Sequence, residues 1–305
     1  MTKFFLLIIP FYTLFGYSQN EDSVRQEINQ VQQLISFSQF KTIDNPANAG
    51  IQDRNISLST FTNIAKPTYM EVHNYIGVDG YVNKKFALGL YYTLDNWNGS
   101  LLQNSLGLVL KKQFNHIHVG LGIEKNTLRL LSNGLTYGDM IDPRKGLIYP
   151  TFENTTNTNV TKTLNFKPEV LYLKGKWQIG LGLNHINGEN NSLKKGFSSV
   201  PLETNVTASY LVTLNNKTSY VPMLKIKHTK LAQEVALHQL FIYKLKRHLH
   251  LINLSYALNK NVGIKYGLSL NNRLKLGVQY YHPIYYSDYF PKSILINVQY
   301  LFRKK

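Results

Sequence analysis

The chain has no cysteine, which excludes a disulfide framework, thiol chemistry and cysteine-based metal sites. It also removes the residue through which a bacterial lipoprotein carries its lipid. Long hydrophobic runs are missing as well: no later segment approaches the roughly 20 uninterrupted apolar residues of a spanning helix, so no helical membrane anchor is expected. Acidic residues are few, 17 against 34 Lys and Arg, for a formal net charge of +17. The surplus gathers at expected strand ends and turns, at Lys84-Lys85, Lys111-Lys112, Lys194-Lys195 and Lys244 to Arg247. That placement suits anionic headgroups or lipopolysaccharide better than a nucleic-acid groove, and no nucleic-acid partner is expected.

What the chain has is alternation. Val262, Ile264, Tyr266, Leu268 and Leu270 interleave with Gly263, Lys265, Gly267 and Ser269. After Asn271-Asn272 the pattern resumes, with Leu274, Leu276, Val278 and Tyr280 set between Lys275, Gly277 and Gln279. Each such strand presents one apolar face and one small or charged face. The pattern recurs along most of the chain at roughly ten-residue length, which is what a tilted strand needs to cross a bilayer. Tyr residues (Tyr81, Tyr91, Tyr92, Tyr210, Tyr220, Tyr243, Tyr256, Tyr285 and Tyr286) fall near expected strand ends, where an aromatic girdle belongs. The fold expected is all-β: a transmembrane antiparallel β-barrel of about fourteen strands with a short amino-terminal periplasmic segment.

The amino terminus reads as an export signal. Lys3 gives a short positive region, Phe4 to Phe15 an apolar stretch, and Gly16-Tyr17-Ser18 small residues at the cleavage positions. The expected organisation is a signal peptide at 1–18, an amino-terminal periplasmic segment or plug at 19–50, and an outer-membrane barrel at 51–305. The expected strands run Arg54 to Phe61, Met70 to Gly80, Lys84 to Leu94, Leu101 to Lys112, His116 to Lys125, Asn165 to Lys174, Lys176 to Ile186, Thr204 to Leu214, Thr218 to His228, Gln233 to Tyr243, His248 to Leu258, Lys260 to Leu270, Arg273 to His282 and Lys292 to Phe302. Short and long connections mostly alternate, as periplasmic turns and external loops do in such barrels. Asn126 to Leu164 is the longest connection, read as an external loop able to enter the lumen or meet a partner.

Ahead of the barrel, Val24, Ile28, Val31 and Ile35 have the spacing of one short amphipathic helix. Phe37-Ser38-Gln39-Phe40 follows, then Asn45-Pro46-Ala47-Asn48-Ala49-Gly50, where Pro46 ends any helix and Gly50 permits a turn. These two elements, with the export signal and the barrel after them, resemble the PorP/SprF family of type IX secretion outer-membrane proteins of Bacteroidetes. Members carry an FSQ-like element followed by NPAYAG, and this chain has Asn48 at the aromatic position. Ala87 to Leu90 leading into Asp95, and the closing Ile294 to Phe302 strand, are further similarities. The resemblance implies a non-enzymatic accessory role in secretion or surface attachment of a large surface protein such as a gliding adhesin. Type IX components and the secreted adhesin are the implied protein partners, and outer-membrane lipid and lipopolysaccharide the surroundings. Phe37, Ser38, Gln39, Phe40, Asn45, Pro46, Ala47, Asn48, Ala49 and Gly50 are the candidate interaction or plug residues.

Other chemistry finds little support in the residues. His116 and His118, and His248 and His250, are i, i+2 pairs able in principle to share a metal, but no cysteine and few carboxylates accompany them. Asp139, Asp142 and His185 or His282 would make a rim hydrolase only with a nucleophile, and no G-x-S-x-G element is present. Gly120-Leu121-Gly122 and Gly180-Leu181-Gly182 lie within strands and precede no helix, so they read as small inner-face residues. No enzyme activity, cofactor or metal is expected. The alternative function is a passive channel or small-solute transporter, with Lys225, Lys227, Lys265 and Lys275 on the inner face setting an anion preference.

Overall fold

The computed structural model describes residues 46–49, 56–66, 71–83, 85–97, 101–130, 141–142, 146–147, 160–190, 199–245, 248–258, 261–271, 273–284 and 292–302. The barrel strands are β1 (Ile56–Lys66), β2 (Glu71–Tyr81), β3 (Phe86–Trp97), β4 (Leu101–Phe114), β5 (Ile117–Leu130), β6 (Val160–Lys174) and β7 (Trp177–Asn184). Then come β8 (Glu203–Tyr210, resuming as Val212–Asn215), β9 (Thr218–Thr229), β10 (Gln233–Leu245), β11 (His248–Ala257), β12 (Asn261–Leu270), β13 (Leu274–Pro283) and β14 (Lys292–Phe302). Each pairs antiparallel with its neighbours in sequence, and β1 closes on β14 from Ile56 opposite Phe302 to Lys66 opposite Lys292. Counting β8 as one strand interrupted at Leu211, the cylinder has fourteen strands and no free edge. A closed cylinder is one of two ways to satisfy every backbone N–H and C=O inside lipid.

Alternation sets the two faces. On β3, Ala87, Gly89, Tyr91 and Thr93 point to the lumen, while Phe86, Leu88, Leu90 and Tyr92 point outward. Leu106 and Leu108 on β4, Ile252 and Leu254 on β11, and Ile294 and Ile296 on β14 continue the apolar outer band. Tyr92, Tyr243 and Tyr256 lie on that outer surface as expected. Tyr91 and Tyr81 do not. Tyr91 is buried in the lumen, and Tyr81 shares its strand's inner face with Asp79 and donates its hydroxyl to Gln113 Oε1 at 2.8 Å.

The short connections gather at one end, with Ile56 and Phe302 beside them, and Asn115, Gly175 and Asn271 take positive φ (45°, 55° and 51°) to turn tightly. The long connections 131–159, 185–202 and 284–291 leave from the other end, together with the shorter ones at 67–70, 98–100, 230–232 and 258–260. Strand bounds follow the sequence expectation to within a few residues, except that β1 runs on to Lys66, five residues past the expected Phe61, and that the strands around the longest connection extend further too. There β5 and β6 stay paired through Asn126 opposite Thr163 and Arg129 opposite Val160. The connection is therefore 131–159 and shorter than the Asn126 to Leu164 read from the pattern. Polar residues above the apolar band need no alternation to keep their ladder bonds. Within it, Ile141–Asp142 pairs with Gly146–Leu147. The signal peptide, the Glu21 to Ile35 helix, Phe37 to Phe40, Asn45, Gly50 and the Arg303 to Lys305 tail lie outside the described residues.

Lys111 is a correction to the turn-charge reading. It faces the lumen, 2 % exposed, with its ammonium 5.1 Å from the centre of the Tyr81 ring. Its neighbour Lys112 points outward.

Candidate functional site inside the barrel

Fourteen strands about 4.8 Å apart and tilted by about 40° enclose a backbone cylinder roughly 28 Å across. Inward side chains alone leave room between facing walls for a segment of chain. Pro46–Asn48 form a single 3₁₀ turn, closed by the Ala49 N–H donating to the Pro46 carbonyl at 3.1 Å. Pro46, Ala47, Asn48 and Ala49 are all buried. Their seat is the inner wall of β4, β5 and β6.

Glycine makes the seat. A Cβ on Gly120 would lie 2.3 Å from the Ala47 nitrogen and 2.5 Å from the Pro46 carbonyl carbon, so backbone meets backbone there and only glycine fits. A Cβ on Gly122 would stand 3.1 Å from Pro46 Cγ. In the ladder Gly120 lies opposite Glu169, whose other neighbour is Gly182. Flanked by two glycines, the Glu169 carboxylate reaches the turn, and Oε2 accepts the Ala47 N–H at 2.8 Å. Apolar contacts complete the fit: Ala47 clusters with Leu171 and Leu173, and Ala49 with Tyr75, Tyr91, Val109 and Leu295.

A second layer holds those tyrosines. Across the sheet, Gly77, Tyr91, Gly107, Glu124 and Asn165 lie side by side in register. The Tyr91 ring lies over Gly107, where a Cβ would be 2.0 Å from Cζ, and its hydroxyl donates to Glu124 Oε2 at 2.5 Å. Lys167 Nζ donates to the same oxygen at 2.8 Å. Tyr75 stacks on Tyr91 with ring centres 6.1 Å apart. Residues named from one motif thus rest on a charged and aromatic shelf built from four strands.

The other sequence candidates are not brought together. His118 faces the lumen while His116 is exposed in the turn. His250 Nδ1 meets Tyr266 OH at 2.8 Å, His282 Nδ1 meets Tyr280 OH at 3.3 Å, and His185 Nδ1 lies 2.5 Å from Glu189 Oε1. Asp139 lies outside the described residues. Among the described residues no group of three or more metal-ligating side chains occurs. Lys265 and Lys275 are on the inner face as read and fully buried, and Lys227 pairs with Glu203 at 3.1 Å. The reading of Gly120, Gly122 and Gly180 as inner-face residues holds, but the turn that Gly120 and Gly122 receive comes from some seventy residues away and carries no local signal.

Losing the Glu169 acceptor leaves a buried backbone N–H unmatched, which costs about 1–3 kcal/mol. With Asn48→Cys as the only thiol in the chain, Glu169→Ala is expected to raise the rate of maleimide labelling at that thiol roughly tenfold or more. An unchanged rate would mean that Glu169 does not hold the turn.

A family model described as "Type IX secretion system membrane protein PorP/SprF" matches residues 26–300. No curated protein matches the sequence. Among solved structures, the toluene transporter TodX of Pseudomonas putida is similar in fold, with a TM-score of 0.54 at 9% identity, covering 85% of this chain and 92% of TodX. The toluene transporter TbuX of Ralstonia pickettii gives 0.55 at 8% identity, covering 87% and 93%.

Proposed function

From the premise that the chain belongs to the PorP/SprF family of type IX secretion system membrane proteins, we propose that it is a non-enzymatic accessory barrel of that system, its lumen stopped by its own amino-terminal segment. The barrel architecture and the family place it in the outer membrane. In this reading a cleaved signal peptide exports it, the short-turn end faces the periplasm, and its work is to help a large surface protein such as a gliding adhesin reach or stay on the cell surface. The observation that carries the reading is the Pro46–Ala49 turn: the element that resembles the family motif is buried against the lumenal wall and bonded to Glu169. A segment so seated obstructs a pore and is positioned to couple a periplasmic contact to the barrel.

The second reading, a channel or small-solute transporter, draws on the lumenal amines Lys225, Lys227, Lys265 and Lys275. It also draws on the shared fold of two proteins titled toluene transporters. One pair of measurements separates them. The accessory role predicts a closed barrel in a planar bilayer, and failure of type IX cargo to reach the surface when the gene is deleted. An open anion-selective pore together with normal cargo display would overturn it in favour of the channel.

A further inference from the structure

Five of the six turns at the short-turn end carry an exposed cation in or beside them, Lys85, Lys176, Lys217, Lys244 and Arg273, and near the sixth the exposed Lys112 lies on β4 three residues before Asn115. The sequence adds Lys84, Lys246 and Arg247 to the same turns. Among the described residues no exposed Asp or Glu shares this end. At the other end Asp95 is met by His73 at 3.2 Å and Glu203 by Lys227.

Just inside the cations lies a belt of outward aromatics. Phe86, Phe114, Trp177, Tyr243 and Phe302 are each more than 40 % exposed. Trp177 packs on Tyr210 and Phe302 on Tyr300, with ring centres 4.6 and 4.8 Å apart. Lys112 joins the two layers, its ammonium 5.2 Å from the Phe86 ring centre and 4.8 Å from that of Phe114. Aromatic belts sit at headgroup depth, so the cations beyond them stand among the phosphates.

We propose that this rim is a collar for the anionic headgroups of phospholipids in the periplasmic leaflet, about one lipid per turn. Spacing favours lipid over a free phosphate ion. Successive hairpins are two strands apart, which for strands tilted by about 40° is about 12 Å along the rim, too far for neighbouring cations to converge on one phosphate yet room enough for one headgroup at each. The proposal replaces lipopolysaccharide as the partner of these particular lysines, since that lipid would lie at the opposite rim. It rests on the barrel spanning the outer membrane with this end periplasmic, but its test does not involve secretion.

The purified full chain is placed in nanodiscs of phosphatidylethanolamine with or without phosphatidylglycerol, and retained lipids are counted by native mass spectrometry. Retention of phosphatidylglycerol over phosphatidylethanolamine by roughly fivefold per site, lost at 1 M salt through screening, is the expected result. A variant with these six cations and Lys84, Lys246 and Arg247 all changed to glutamine should lose the preference, and one with Lys85, Lys112, Lys176, Lys217 and Lys244 changed to arginine should keep it. The proposal is overturned by equal retention of the two lipids, by a preference that survives the glutamine variant, or by displacement of the lipid by millimolar inorganic phosphate at constant ionic strength. Salt sensitivity in the unaltered protein gives a reading even if the glutamine variant fails to fold. Capture of an acidic periplasmic protein by the same rim, with no lipid preference, also overturns it.

Discussion

Valine at position 120 is expected to expel the Pro46–Ala49 turn from the barrel wall and leave the barrel itself closed. A Cβ there would lie 2.3 and 2.5 Å from backbone atoms of the turn, and backbone offers no rotamer through which to escape. One of the two surfaces has to retreat. The strand is held by ladder bonds to β4 and β6 on either side, whereas the turn is held by the Glu169 bond and a few apolar contacts. The turn is the weaker party. Labelling of Asn48→Cys should rise by about a hundredfold, in line with the loss of about 3 kcal/mol of seating, and conductance in a planar bilayer should rise with it. The protein should still run as a folded barrel by heat-modifiable electrophoresis. Gly122→Ala serves as the graded control, since its Cβ would meet Pro46 Cγ and the Lys167 Cβ at 3.1 and 3.3 Å, a pressure that a shift of a few tenths of an ångström relieves. Gly182→Ala should change nothing, its nearest contact being an ordinary 3.5 Å to Glu169 Cγ. Should Gly120→Val leave labelling and conductance at the level of the unaltered protein, the turn does not obstruct the lumen.

That glycine was visible in the sequence as a small inner-face residue and nothing more. Alternation is a local property of each strand, so strand number, faces and the closing strand Lys292–Phe302 could be read directly from residue types. The same parity held information that residue type concealed. Tyr91 shares its parity with Ala87, Gly89 and Thr93, not with Leu88 and Leu90, and parity alone assigns it to the lumen. A phenol suits an interface and a polar lumen equally well, so residue type alone does not choose between them. The break at Leu211 had no counterpart in the pattern, since Leu211 continues the apolar run while its N–H bonds to the Lys176 carbonyl at 2.9 Å. Partners distant in sequence were out of reach for a different reason. Glu169 and Ala47 are 122 residues apart, and no periodicity links a turn to the wall that receives it. The sequence motif drew attention to Pro46 to Ala49, and only the assembled barrel supplied the surface they lie against.

The largest effect on stability is expected from separating Glu124 and Lys167. The carboxylate and amine are both nearly sealed from solvent, 6% and 10% exposed as side chains, and meet at 2.8 Å. Removing one partner of a buried pair typically costs about 3–5 kcal/mol, because the survivor is left charged without compensation. Glu124→Leu should cost more than Lys167→Met. It takes the acceptor from two donors at once, Lys167 and the Tyr91 hydroxyl, whereas after Lys167→Met the carboxylate keeps the tyrosine bond. The double variant removes both charges and should be less destabilised than the sum of the singles by about 2 kcal/mol or more, measured as urea unfolding of the barrel from lipid vesicles. The pair also supports the turn. Glu124 fixes Tyr91, and Tyr91 packs under Ala49. Glu124→Leu should therefore speed labelling of Asn48→Cys as well, and Tyr91→Phe, which keeps the ring and loses only the hydroxyl, should do so by a smaller factor. Strict additivity of the two single variants would show that Glu124 and Lys167 act independently. Lowered stability without faster labelling would show that the shelf holds the wall together but not the turn that lies on it.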